Sequence, residues 1–325
     1  MKFKVRNSIF KGIDYYINQK NNTNACPNKP PSVVKIDKNN SKIIVIGDIH
    51  GDFYSMLHAL YQGKVINKKS EWIGGKTIVV QVGDQIDKGG RGFLSVDNTN
   101  DDLEELKVIE YMHHLHLEAK KSGGAVYSLI GNHEIMNMLG DFRYATPGHI
   151  RGFGGTQTRK ELFKPGGPIA RKLACNTNGV MMIGSWIFAH GGLLPMHLEN
   201  MNIESINQLT RDVLLGKKDI NNLSNAEEEL LFGQTGLFWN RVYSNNLIED
   251  SNRCRTLNQM LQILKIDNGG IVVGHTPYDG IQSNCDNKIW MTDVKLSTAF
   301  GNKENHSDRV EILVIENDGK KIYRL

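Results

Sequence analysis

The 325 residues predict an α/β chain in which two mixed β-sheets pack face to face with helices outside. Three observations carry that reading. Short β-branched runs at 43–46, 77–82 and 125–130 each end in a glycine, as buried strands do. A stretch of helical periodicity separates the second run from the third, so the first half alternates strand and helix. The second half instead holds short strand candidates in series and closes on a hairpin signal.

Taken in order, residues 7–18 read as a short helix and 18–42 as an irregular lead-in, rich in Asn and Lys and broken by Pro27, Pro30 and Pro31. The compact domain is expected to span 42–325 as one unit, with 1–41 as a basic N-terminal extension. Between the second and third strands, Leu103, Leu106, Ile109, Met112 and His113 fall at helical spacing over 101–121, and Asp101 and Asp102 favour a helix start there. Further strands are expected at 181–189, 270–273, 288–292, 309–315 and 321–324. Asn317-Asp318-Gly319 turns the last pair into a hairpin. Helices are expected over 156–173, 203–215, 225–233 and 254–265.

The formal charge of +4 hides an uneven distribution. Residues 1–42 hold nine Lys or Arg against two acidic residues, and the rest of the chain is slightly acidic. Such a segment can touch nucleic acid or anionic lipid; a solvated extension is the preferred reading. No apolar run approaches 18 residues, so no membrane span is expected. The N-terminus lacks the apolar core of a secretory signal. Cys26, Cys175, Cys254 and Cys285 stand far apart without C-x-x-C spacing, so neither a zinc knuckle nor a redox motif is expected, and a reducing, cytoplasmic setting is the default.

Five separated segments place metal-type side chains directly after strand-like runs. They are Gly47-Asp48-Ile49-His50-Gly51-Asp52, Gly83-Asp84-Gln85-Ile86-Asp87-Lys88-Gly89, Gly131-Asn132-His133-Glu134, His190-Gly191-Gly192 and Gly274-His275-Thr276. Asp48 and His50 are two apart, so both can face one ion as the chain leaves its strand. In open α/β sheets, sites gather at the carboxyl ends of strands. Each segment alone has an ordinary structural explanation: a polar loop, a left-handed Asn, a hydrogen-bonded core histidine. Five in series at strand ends do not.

This series resembles the phosphoprotein phosphatase family of calcineurin-like metallophosphoesterases from about Lys42 to the C-terminus. Further stretches are similar to its bacterial-type, Shewanella-like branch: Trp72-Ile73-Gly74-Gly75, Val80-Gln81-Val82, Ile135-Met136-Asn137, Gly274-His275-Thr276-Pro277, residues 290–293 and 296–301, and the closing strand pair. The resemblance implies a calcineurin-like sandwich that binds two metal ions and hydrolyses phosphate monoesters. It implies Asp48 and His50 on the first ion, Asp84 bridging both, and Asn132, His190 and His275 on the second. Such mixed ligands suit manganese, iron or zinc and are too nitrogen-rich for calcium. Paired ions lower the pKa of a shared water and hold the transferring oxygens of an in-line displacement. His133 is implied as general acid, oriented by Asp87.

A phosphate dianion also needs positive charge beyond the metals. The usual Asp-Arg-Gly here reads Asp87-Lys88-Gly89, which keeps the charge and loses the planar fork. Lys88 is the expected phosphate contact, with Arg91 as a possible compensation three residues on. Arg241 best matches the second phosphate-binding arginine, and Arg143 is another candidate, balanced by a reading in which it pairs with Asp141. The branch commonly carries Gly-Met before the serine where this chain has Val294-Lys295-Leu296-Ser297. The implied substrate is a phosphorylated protein, whether at Ser/Thr or Tyr; nucleic acid and membrane are not expected partners. Alternatives are a hydrolase of dinucleoside polyphosphates or RNA caps and, in another class, a degenerate binding scaffold. The intact ligand set speaks against the scaffold.

Overall fold

Ile43, Ile44, Val45 and Ile46 are all essentially inaccessible, which a strand can achieve only when both of its faces are covered. The computed structural model describes residues 2–19, 26–91, 103–301 and 309–325. In it that run is β2 (Lys42–Ile46), following a two-residue β1 (Val33–Val34). The other strands are β3 (Ile78–Gln81), β4 (Ala125–Leu129), β5 (Thr177–Asn178), β6 (Val180–Ile183), β7 (Trp186–Ala189), β8 (Gly270–Val273), β9 (Gln282–Asn284), β10 (Ile289–Met291), β11 (Leu313–Glu316) and β12 (Lys321–Arg324). They form two six-stranded mixed sheets, ordered β1-β6-β7-β8-β10-β9 and β12-β11-β2-β3-β4-β5. Within them β2, β3 and β4 run parallel, as do β7, β8 and β10, so their carboxyl ends open on one edge.

Helices α1 (Ile13–Ile17), α2 (Phe53–Gln62), α3 (Glu104–Lys120), α4 (Asn132–Met138), α5 (Pro147–Gly152), α6 (Thr156–Phe163), α7 (Pro168–Asn176), α8 (Ile203–Leu214), α9 (Asn225–Phe232) and α10 (Asp250–Ile263) complete the fold. α2 starts on Asp52, whose carboxylate accepts from Ser55 N at 3.0 Å, and it buries Phe53, Met56, Leu57 and Leu60. Two expected elements are each divided. The segment 181–189 is the hairpin β6–β7, turned at Gly184 with φ 58°, and 156–173 breaks into α6 and α7, where Pro168 takes a first-turn position. The helix start expected at Asp101 and Asp102 lies outside the described residues. No helix among the described residues is long and apolar enough to cross a membrane.

The solvated N-terminal segment expected from its charge is instead docked on the body. Phe3 packs edge-on against Tyr61, and Phe10 against Phe53. Tyr16 is buried and donates to Glu110 at 2.8 Å, and β1 pairs in parallel with β6. All four cysteines are paired, which the reducing setting taken as the default from their spacing does not anticipate: Cys26 bonds Cys175 and Cys254 bonds Cys285, across separations of 149 and 31 residues. Pairing set by tertiary proximity leaves no trace in local spacing. Cys26–Cys175 ties the lead-in to α7 and restrains the unfolded chain through a long loop.

Candidate metal centre

All six residues expected as metal ligands meet at the shared carboxyl edge. Asp48 and His50 follow β2, Asp84 follows β3, Asn132 opens α4 after β4, His190 follows β7 and His275 follows β8. Asp84 is central: its Oδ2 lies 3.2 Å from His190 Nε2 and 3.8 Å from both His50 Nε2 and His133 Nε2. Asn132 Oδ1 is 2.8 Å from His190 Nε2, and the His190 and His275 rings stand 4.9 Å apart. Two clusters share the Asp84 carboxylate, one with His190 and His275 and one with His50 and His133; in each, the ligand atoms lie within 4.8 Å of one another. Asp48, His50 and Asp293 form a third such set.

The backbone reaches this arrangement under strain. His50, Asp84, Asp87 and His275 all have left-handed φ, of 44°, 53°, 70° and 68°. That region is uncommon for residues with a Cβ, although Asp and His enter it more readily than most. The glycines beside the ligands answer a different need, which is space: a Cβ on Gly131 would sit 2.1 Å from Asp84 Oδ1, and one on Gly274 2.2 Å from Asp48 Oδ1.

The donor set suits two metal cations. His190 sets Nδ1 3.0 Å from the Val82 carbonyl, and His50 Nδ1 lies 3.3 Å from that of Ile86, which leaves each Nε2 facing the carboxylates. Ring nitrogens anchored in this way are usual in metal-ligating histidines. His275 is turned the other way, with Nε2 at 3.0 Å from the Trp239 carbonyl. Burial, then repulsion from Asp293 and Asp84, raises the Asp48 pKa well above the usual carboxylate range. Burial and the Asp84 charge likewise lift Glu134 to about 7. Burial acts upward on Asp84 too, but His190, His133 and His50 hold its pKa well below the ordinary value. Buried carboxylates that repel one another in this way are what a bound cation would relieve.

Beside this cluster, His133 Nδ1 lies 2.8 Å from Asp87 Oδ2. Asn137 donates to the same oxygen at 2.8 Å, and Arg159 reaches Asp87 Oδ1 at 3.2 Å. Arg159 is fully buried, pairs with Glu105 as well, donates to Asn137 at 2.9 Å and lies over the Phe153 and Phe163 rings. Neither Arg159 nor the part played by Glu134 is marked by strand-end spacing. Glu134 accepts from Gly131 N, Asp84 N and Gln85 N at 2.7, 3.1 and 2.8 Å, and so pins the loop after β3 to the start of α4.

The basic residues divide. Lys88, expected on the phosphate, is buried and pairs with Glu104 at 2.7 Å. Arg91 instead reaches the centre, with Nη2 2.6 Å from His50 Nδ1 and 3.2 Å from His133 Nε2, and its guanidinium lies over both the Tyr144 and Phe300 rings. Arg143 is exposed and pairs with Asp141 at 2.7 Å, as its surface reading has it. Arg241 lines an open groove of about 450 Å³ with Thr276 and Tyr278. Its charge adds to burial and to His190 in lowering the His275 pKa.

Two sheets that deliver Asp, Asn and His side chains to a shared carboxylate define a dinuclear metallohydrolase. Residues 41–279 match the family model for calcineurin-like phosphoesterase, and the chain belongs to that family. It is 28% identical to Shewanella-like protein phosphatase 2 of Arabidopsis thaliana over 79% of its length and 71% of that protein. It is 36% identical to an uncharacterised protein of Acanthamoeba polyphaga mimivirus over 65% of its length and 95% of that protein. In fold it is similar to the cold-active protein tyrosine phosphatase of a psychrophilic Shewanella, with a TM-score of 0.71 at 23% identity, covering 91% of this chain and 83% of the other. The chain is thus a metal-dependent phosphoesterase with relatives named as Shewanella-like phosphatases, in agreement with the sequence resemblance.

Proposed function

We propose that the chain is a protein phosphatase that removes phosphate from phosphorylated side chains, with 42–325 as its catalytic domain. The carrying observation is the Asp84 carboxylate shared by two ligand clusters, with the His133–Asp87 pair beside it. In this reading Asp48, His50 and Asp84 hold one ion and Asp84, Asn132, His190 and His275 the other, with manganese favoured and iron or zinc admitted by the same donors. When bound, the ions supply Lewis-acid charge and an activated water for in-line attack. The chain's own residues do the rest. His133 gives a proton to the departing oxygen from Nε2, while Asp87 accepts from Nδ1 and orients the ring. Phosphorylated protein as the substrate rests on relatives named as protein phosphatases. Two disulfides suit an oxidising compartment better than the cytoplasm that cysteine spacing favoured.

Arg91 takes the phosphate contact that the sequence assigned to Lys88. A His50 that ligates through Nε2 donates from Nδ1 to the Ile86 carbonyl and offers Arg91 no acceptor. The guanidinium is then available to two phosphate oxygens at once. Arg91→Ala is expected to lower kcat/KM about 10- to 100-fold, which corresponds to a lost charge-assisted hydrogen bond of about 1.5–3 kcal/mol. Lys88→Ala should leave kcat/KM nearly unchanged, and Lys88→Arg should bring no gain, because Glu104 holds that position. A crippled Lys88→Ala beside a silent Arg91→Ala would return the role to Lys88.

The proposed activity is tested with p-nitrophenyl phosphate, a phosphopeptide and a dinucleoside polyphosphate. Chelation is expected to abolish turnover and manganese to restore it, with the phosphopeptide preferred over the dinucleotide. Faster cleavage of the dinucleotide would move the enzyme to phosphoanhydride hydrolysis. Full turnover in a preparation shown by elemental analysis to be metal-free would overturn the metal mechanism.

A further inference from the structure

We propose that Asp293 is a seventh protein ligand, held to the ion that Asp48 and His50 bind; the proposal rests on the dinuclear reading above. β10 lies parallel to β8 with Met291 opposite Val273. Asp293 therefore stands two residues beyond its strand, as His275 does beyond the neighbouring one. It occupies a sixth strand end on the edge that delivers every other ligand. The residue is 1% exposed, and one carboxylate oxygen, Oδ1, accepts from Lys295 N at 3.1 Å. A ligand atom of Asp293 lies within 4.8 Å of its counterparts on Asp48 and His50. Opposite ligands on one ion stand about 4.4 Å apart at bond lengths of about 2.2 Å, so these three need to close only slightly.

The local backbone is bent to hold the carboxylate there. Lys295 has φ 55°, a left-handed turn at a position where the resembling branch carries glycine. The turn is retained without that relief, and through it the Lys295 N–H meets Asp293. The assignment also removes an asymmetry. Without Asp293, the first ion has three protein ligands and the second has four.

With Asp293 the two positions differ in kind. The first gathers carboxylates from Asp48, Asp84 and Asp293 with one imidazole. The second has one carboxylate, one amide oxygen and two imidazoles. An oxygen-rich set favours a hard ion such as manganese(II) or iron(III), whereas the nitrogen-richer set accepts zinc or iron(II).

The test reads metal and not turnover. In manganese-loaded crystals of the full chain, the anomalous peak nearest Asp48 is expected about 2.2 Å from an Asp293 carboxylate oxygen. In manganese titrations the wild type should take up two ions. Asp293→Asn should keep one with unchanged affinity and bind the other at least about tenfold more weakly. A manganese peak more than about 3 Å from Asp293, or two ions bound by Asp293→Asn as tightly as by the wild type, would overturn the assignment. Should Asp293→Asn fail to fold, the wild-type anomalous map decides alone. A wild type that binds no pair of ions would instead overturn the dinuclear reading itself.

Discussion

Replacing His133 by Asn is expected to lower kcat on an alkyl phosphate by about two to four orders of magnitude, the usual contribution of a positioned proton donor. The effect depends on the leaving group. An alkoxide leaves poorly without a proton, whereas p-nitrophenolate is stable on its own. The loss on p-nitrophenyl phosphate should therefore be much smaller. The geometry behind this is the 2.8 Å contact between His133 Nδ1 and Asp87, which leaves Nε2 directed toward Asp84. That direction also makes His133 a candidate ligand, since its nitrogen falls in a cluster with His50 and Asp84. Metal analysis of the variant separates the two roles. Unchanged metal content with a leaving-group-dependent loss identifies the proton donor. A missing ion, or an equal loss on both substrates, would sink that assignment.

Arg159→Leu is expected to cost about 3–5 kcal/mol of folding stability, as loss of one partner from a buried ion pair does. The substitution strands the Asp87 and Glu105 carboxylates, both wholly inaccessible, and removes the cation that lies 4.8 Å from the Phe153 ring centroid. It should also lower kcat, because Asp87 loses the contact on Oδ1 that helps hold its other oxygen, Oδ2, toward His133. Urea unfolding measures the first effect. Arg159→Lys, which keeps the charge and loses the fork, should fall between the two. An unfolding midpoint for Arg159→Leu equal to that of the wild type would show that the network contributes nothing.

Much of the metal centre was legible because its residues directly follow apolar runs. Asp48, Asp84, His190 and His275 each stand within three residues of a strand end that periodicity locates. Arg159 was not legible. It lies on α6, far along the chain from Asp87, and nothing in Thr156–Phe163 marks one arginine as buried. Asp293 follows β10 in the same way as the recognised ligands follow their strands, so its strand-end position is legible in the sequence as well. The segment before Lys42 was misread because its lysines outnumber its aromatic residues. Phe3, Phe10 and Tyr16 do the packing, and a charge count does not register them. Likewise Phe53, Met56, Leu57 and Leu60 carry a helical repeat after the Asp52 cap, legible once the period of the apolar residues changes from two to 3.6.

His50 and His275 stand where the backbone would sooner have glycine or asparagine. Their identity is thus kept by chemistry against the preference of the chain. If selection for turnover were lifted in a descendant, substitution at these two sites would relieve strain instead of adding to it, and such a protein would grow sturdier as it lost activity. Decay in this lineage would accordingly be written first in the left-handed turns, while the strands that frame them stayed intact. A relative with glycine or asparagine at both positions is a retired enzyme, whatever the completeness of its sheets.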